Sequence, residues 1–184
     1  QVGGVLTGYF ASARQVEAAA RLIADLKRKN PSVCYLLDPV IGDGQGDAGK
    51  LYVPEENGVA IRRDLLPLAD MVTPNLFELS WMSERAGLSS LSAIEEAVAS
   101  LQTKTTLVTS VPALRAGHIA NLLVHDNKSL LAENREINGP SNGFPCATDT
   151  SNPLEQSVTV TASAALRLVP RIANSRATSR PFIK

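Results

Sequence analysis

Apolar positions along this chain switch between two periods, and the switches mark its elements. The run VGGVLTGYF near the start predicts a short strand and a turn. In the stretch that follows, Val16, Ala19, Ile23 and Leu26 recur at spacings of 3, 4 and 3, one face of a helix. Ser12 suits its N-cap, Lys27, Arg28 and Lys29 suit its C-terminal end, and Pro31 stops it. VCYLLDPVI is then apolar without alternation and of strand length, the pattern of a parallel strand covered on both faces.

Residues 42–49 form a Gly/Asp-rich loop, followed by a loop and a helix in KLYVPEENGVAIRRDLLPLA. DMVTPN predicts a short strand exit, and NLFELSWMSERAG a helix stopped by Gly87. SLSAIEEAVASL predicts another helix, with Ser92 and Glu95 spaced as a capping box. TTLVTSV is the next strand, and IANLLVHDN with SLLAENREI predicts an antiparallel hairpin turning at Asp126–Asn127. Helical spacing returns late, at Val158, Ala162, Ala165 and Val169. Strands alternating with helices predict an α/β fold with a central, mostly parallel sheet and an antiparallel hairpin in its C-terminal part. Ligands of such sheets bind at the carboxyl ends of the strands, where Asp38, Thr73 and Thr109 would lie.

Composition narrows the classes. With 18 basic and 18 acidic residues in 184, the net charge is zero. No basic field attracts nucleic acid or an anionic membrane, although backbone N–H groups can still make a local phosphate site. No apolar run reaches the roughly 20 residues of a membrane span, and no secretory signal is visible. Cys34 and Cys146 fit no metal spacing, and Cys34 reads as a buried thiol, so a reducing cytoplasm is the expected setting. The chain opens at Gln1 directly before a strand, which leads us to expect that an N-terminal part of a longer protein is absent.

Two stretches carry the chemistry. In DPVIGD, Asp38 ends a buried strand and Asp43 follows five residues later. Two carboxylates at one strand mouth repel each other unless a cation or donors compensate. Mg²⁺ is a natural compensator, because it takes one or two carboxylates plus substrate phosphates and waters; an aspartate-rich turn is the plainer alternative. In TPNLFE, Asn75 and Glu78 have N-cap and N3 spacing. They either simply start a helix or face the same mouth and hold waters around a metal. GDGQGDAG lacks the Gly-Lys-Ser/Thr ending of a P-loop and reads as a lid. His118 and His125 read as surface or packing histidines, Trp81 and Met82 as core, and the basic tail from Arg167 to Lys184 as solvated.

DPVIGD, KLYVP and LADMVTPNLFEL, in this order and spacing, resemble the pyridoxal kinases of the ribokinase-like superfamily. GKLYVP favours them over hydroxymethylpyrimidine kinases. The resemblance implies one ribokinase-like domain over 1–184, lacking the family's N-terminal region and its share of the vitamer pocket. It implies ATP-dependent phosphorylation of the 5′-hydroxyl of pyridoxal and related B6 vitamers, with ATP and Mg²⁺ bound, and a homodimer. By motif, Asp38 lies near the phosphates and the cation, and Asp43 begins the lid. Tyr52 belongs to the flap over the nucleotide. Thr73, Asn75 and Glu78 shape the Mg–ATP site, Glu78 through water, and Thr109 and Ser110 contact the phosphates.

The family's Gly-x-Gly-Asp segment, which receives the transferring phosphate and supplies the base, aligns with Gly139-Pro140-Ser141-Asn142. Gly139 keeps its nucleotide-binding position, Ser141 replaces the second glycine, and Asn142 stands where the aspartate accepts the proton. Losing the base costs about 10²–10⁴ in rate and an anion-hole donor about 10²–10³, together on the order of 5–9 kcal/mol. The chain would then turn over poorly. A non-catalytic nucleotide-binding or dimerising remnant of the fold, or a hydroxymethylpyrimidine kinase, are the competing readings.

Overall fold

A computed structural model describes residues 2–44 and 49–135. The chain divides into two units, Gln1–Ile137 and Asn138–Lys184; the described residues belong to the first. The Gly139–Asn142 segment, the late helical spacing and the basic tail therefore lie outside the described residues.

Six strands make the main sheet, in the order β1 (Gly4–Thr7), β2 (Cys34–Leu37), β5 (Met71–Val72), β6 (Thr105–Pro112), β7 (His118–His125) and β8 (Lys128–Arg135). The first four run parallel, and β7 and β8 are antiparallel additions. The helices are α1 (Ala13–Lys29), α2 (Glu55–Ala60), α3 (Leu76–Ser83) and α4 (Leu91–Ser100). A separate two-stranded ribbon joins β3 (Gly42–Asp43) to β4 (Lys50–Leu51). The expected α/β architecture, with its mostly parallel sheet and late hairpin, is what forms. The hairpin closes on Asp126 and Asn127, both at positive φ (46° and 61°), as a two-residue turn between paired His125 and Lys128 requires.

Side-chain alternation explains why β2 has no polar face. Tyr35 and Leu37 are fully buried in one cluster with Val16 and Ile23 of α1, Ala60 of α2, Leu79 and Met82 of α3, and Ile94 and Val98 of α4. Leu36 points to the opposite face, in register with Met71, and both are buried as well. Burial on both faces is the condition under which a parallel strand reads as a continuous apolar run.

Several local expectations need correction. Between β4 and β5 the chain forms α2, a π-helical turn (Ile61–Leu65) and a 3₁₀ turn (Leu66–Leu68), not one helix. Pro67 lacks the N–H that a continued α-helix would use. Helix α3 ends before Gly87, at Glu84, which takes the left-handed conformation itself (φ 56°). The cap of α4 is Ser90, whose hydroxyl accepts from the Ala93 N–H at 3.2 Å; Ser92 is already inside the helix. Ser12 occupies the N-cap of α1 without a side-chain cap bond. Cys34 is only half-buried. Met82 is core as expected, and Trp81, partly buried beneath the Arg62 guanidinium at 5.5 Å, packs against the same cluster. No helix among the described residues is long and apolar enough to cross a membrane.

Candidate active site

The parallel ladder continues just past the strands and carries the polar residues with it. Asp38 N–H donates to the Thr7 carbonyl at 2.9 Å, Thr73 N–H to Leu37 at 3.0 Å, and Thr109 N–H to Pro74 at 3.0 Å. Asp38 and Thr73 thus stand side by side at the ends of β2 and β5, and Asn75 bridges to Thr109 on β6. Ser110 follows at positive φ (58°), where the register of β6 slips between Val108 and Val111. Such a bulge re-aims side chains at a sheet edge. Val40, two residues after Asp38, has φ 45°. A β-branched residue held there is strained by roughly 1–3 kcal/mol, and such strain collects at functional sites.

Asp38 and Glu78 meet at this mouth. Burial pushes the Asp38 carboxyl up to about 6, with the Thr73 hydroxyl beside it pulling the other way. Glu78 is 3% exposed. Burial drives it up to about 7 and the Asp38 charge adds to the rise, while backbone N–H groups of Asn75, Ile41 and Gly42 oppose it. Among the described residues, neither carboxylate has a Lys, Arg or His partner at ion-pair distance.

The helix-start reading of Asn75 and Glu78 is realised, and the same two side chains also reach the end of the DPVIGD segment. The Asn75 side chain accepts from the Glu78 N–H at 2.8 Å, and Glu78 Oε2 accepts from the Asn75 N–H at 2.9 Å, a complete capping box. Glu78 Oε1 also accepts from the Ile41 N–H at 2.8 Å, and Asn75 Nδ2 donates to the Gly42 carbonyl at 2.8 Å. Ile41 and Gly42 were not legible as partners; the glycine at 42 was the one signal.

The ribbon stands beside the mouth. Asp43 pairs in register with Lys50, and the half-exposed Tyr52 follows β4. Partial burial raises the Tyr52 hydroxyl, and the neighbouring Asp43 carboxylate and the Glu78 charge add to the rise. Gly42 is required there, since a Cβ would stand 2.5 Å from the Lys50 carbonyl and 2.6 Å from Phe77 Cε1. Gly139 and Asn142 lie outside the described residues; of the other predicted site residues, Asp38, Thr73, Thr109 and Ser110 lie at strand ends or in the bulge of β6, Asn75 and Glu78 start α3, and Asp43 and Tyr52 belong to the ribbon or follow it.

The chemistry of the donor set suits a hard divalent cation. Among the described residues no group of three or more His, Cys, Asp or Glu could cage a metal. Mg²⁺ instead takes one or two carboxylates and completes its octahedron with phosphates and waters, a pattern that Asp38 and Glu78, without cationic partners among the described residues, fit. Two surface clefts, of about 480 and 580 Å³, lie elsewhere, around the C-terminal end of α4, and contain none of these carboxylates. Among the described residues His118 and His125 are likewise apart: His118 bonds the Ala116 carbonyl, and the buried His125 bonds Thr105 at 2.8 Å.

The model of the phosphomethylpyrimidine kinase family matches residues 1–151. The chain belongs to this family. Within the family the chain is similar to pyridoxal kinases, as its motifs led us to expect. It is 33% identical to the sheep pyridoxal kinase over 108 residues, which are 58% of this chain and 35% of that protein. Its fold matches the crystal structure of pyridoxal kinase from Entamoeba histolytica with a TM-score of 0.67 and 25% identity, over 97% of this chain and 65% of that one. It also matches the ADP complex of Bacillus subtilis pyridoxal kinase with a TM-score of 0.59 and 26% identity, over 76% and 51%. The chain thus spans between about one third and two thirds of the length of these relatives.

Proposed function

We propose that this chain binds Mg–ATP at the Asp38–Glu78 mouth and serves the phosphorylation of the 5′-hydroxyl of pyridoxal and related B6 vitamers, giving pyridoxal 5′-phosphate. The observation that carries this reading is the pair of buried carboxylates, Asp38 at the end of β2 and Glu78 in the first turn of α3, with no cationic side chain at ion-pair distance of either among the described residues. Its similarity to the sheep pyridoxal kinase and to the ADP-bound Bacillus enzyme supports the substrate and the nucleotide. Phosphoryl transfer needs positioning and charge neutralisation more than covalent help.

Asp38 and Glu78 would hold Mg²⁺, Glu78 through water; the ion would neutralise charge on the phosphates. The Thr73 hydroxyl favours the ionised form of Asp38 against the larger effect of burial, Thr109 and Ser110 offer hydroxyls to phosphate oxygens, and Asp43 and Tyr52 flank the nucleotide. Asn142 at the position of the base reduces turnover, and the chain pairs as a homodimer.

The test incubates purified chain with pyridoxal, ATP and Mg²⁺ and follows pyridoxal phosphate by absorbance. Slow turnover that disappears in Asp38→Ala supports the kinase. Mg–ATP stabilisation without product marks a non-catalytic remnant of the fold. Membership of the phosphomethylpyrimidine kinase family favours one further reading, a hydroxymethylpyrimidine kinase. That reading requires faster use of the pyrimidine than of pyridoxal in direct competition.

A further inference from the structure

Capping α3 needs only two of the hydrogen bonds made by its first turn: Asn75 Oδ1 with the Glu78 N–H, and Glu78 Oε2 with the Asn75 N–H. The remaining groups of that turn reach out to a segment more than 30 residues away in sequence. Glu78 Oε1 accepts from Ile41 at 2.8 Å and from Gly42 at 3.5 Å, and Asn75 Nδ2 donates to the Gly42 carbonyl at 2.8 Å. Phe77 Cε1, between these two residues, closes the space above Gly42.

We propose that Asn75, Phe77 and Glu78 are positioning residues that seat Ile41–Asp43 at one fixed height over the strand ends, so that ribbon and nucleotide mouth act as one body. The seat extends further, because Gly42 pairs with Leu51 and the Tyr52 N–H donates to the Ile41 carbonyl at 2.8 Å. Tyr52 and Asp43 then owe their places over the mouth to the first turn of α3. Glu78, with both oxygens engaged by backbone N–H groups, fits contact with a cation through water better than direct ligation. The nucleotide part of this inference rests on the proposed kinase reading; the seating itself does not.

The test is Asn75→Ser in the full chain. Serine keeps an N-cap acceptor but has no amide to reach the Gly42 carbonyl. In the absence of any ligand, amide hydrogen exchange at Ile41 and Tyr52 should accelerate about tenfold, while Leu79 and Ser80 in α3 keep their protection. In the same variant the Kd for Mg–ATP should rise about threefold, with the Mg²⁺ concentration for half-saturation unchanged. Unaltered exchange at Ile41 and Tyr52 would overturn the seat, and a shifted Mg²⁺ midpoint would assign Asn75 to the cation instead. If α3 loses protection, Phe77→Leu replaces the variant and should give the same pattern. If neither protein binds ATP, the kinase reading fails, and the exchange result still decides the seat.

Discussion

Helices α3 and α4 begin in the same way and do different work. Each opens on a short polar side chain that accepts a backbone N–H three residues on, Asn75 from Glu78 and Ser90 from Ala93. At α4 the matter ends there: the cap bond is exposed and local. At α3 the cap is partly buried, reciprocated by Glu78, and fastened to Ile41 and Gly42. The difference teaches that a capping box can be a structural joint between distant segments.

The comparison breaks most visibly at Glu78. Glu78→Ala leaves the buried N–H of Ile41 and the partly buried N–H of Asn75 without acceptors. At about 1–3 kcal/mol per unsatisfied donor, the variant should lose about 3 kcal/mol or more in denaturant unfolding. Gly42→Ala follows, at about 1–3 kcal/mol, because the added Cβ meets the Lys50 backbone, which a rotamer change cannot move.

Acid tests the same region from the other side. Asp38 and Glu78 titrate near 6 and 7 in the folded protein, above their ordinary 3.8 and 4.5. Between those limits the folded state binds more protons than the unfolded chain, so stability falls as pH rises through the window. The melting temperature should therefore be higher at pH 5 than at pH 8, and Glu78→Gln should flatten much of that slope. Stabilisation by Mg–ATP should show the opposite trend, growing toward pH 8 as protons cease to compete for the carboxylates. At the small end, Ser90→Ala should cost about 1 kcal/mol, and Ser92→Ala less than about 0.5 kcal/mol. Equal losses at Ser90 and Glu78 would erase the distinction between the two helix starts.

Much of this was legible in the sequence because it rests on period and on strand ends. The unbroken apolar run of β2, the 3.6-residue face of α1 and the Asp126–Asn127 turn each have a local physical cause, and each forms. What was not legible depends on contacts across the fold. Ser92–Glu95 has capping-box spacing as good as Asn75–Glu78, yet Ser90 starts α4 two residues earlier. Glu84 can end α3 in a left-handed conformation that the chain would more readily give to Gly87. The reach of Glu78 to Ile41, the bulge at Thr109–Ser110 and the burial of His125 against Thr105 arise only once strands are side by side. Asp38, Thr73 and Thr109 were legible as strand-end residues and stand there; the hydrogen-bond partners of Asn75 and Glu78, being mostly backbone, leave little trace in residue identity.

The most direct measurement is calorimetric titration of ATP into the chain, with and without Mg²⁺, beside Asp38→Asn. We predict binding that requires Mg²⁺ in the wild-type chain and is lost in Asp38→Asn, while the apo variant melts at or above the wild-type temperature at pH 8 because a buried charge is gone. Binding that is indifferent to Mg²⁺, or that survives in Asp38→Asn, would contradict the role given to the two carboxylates.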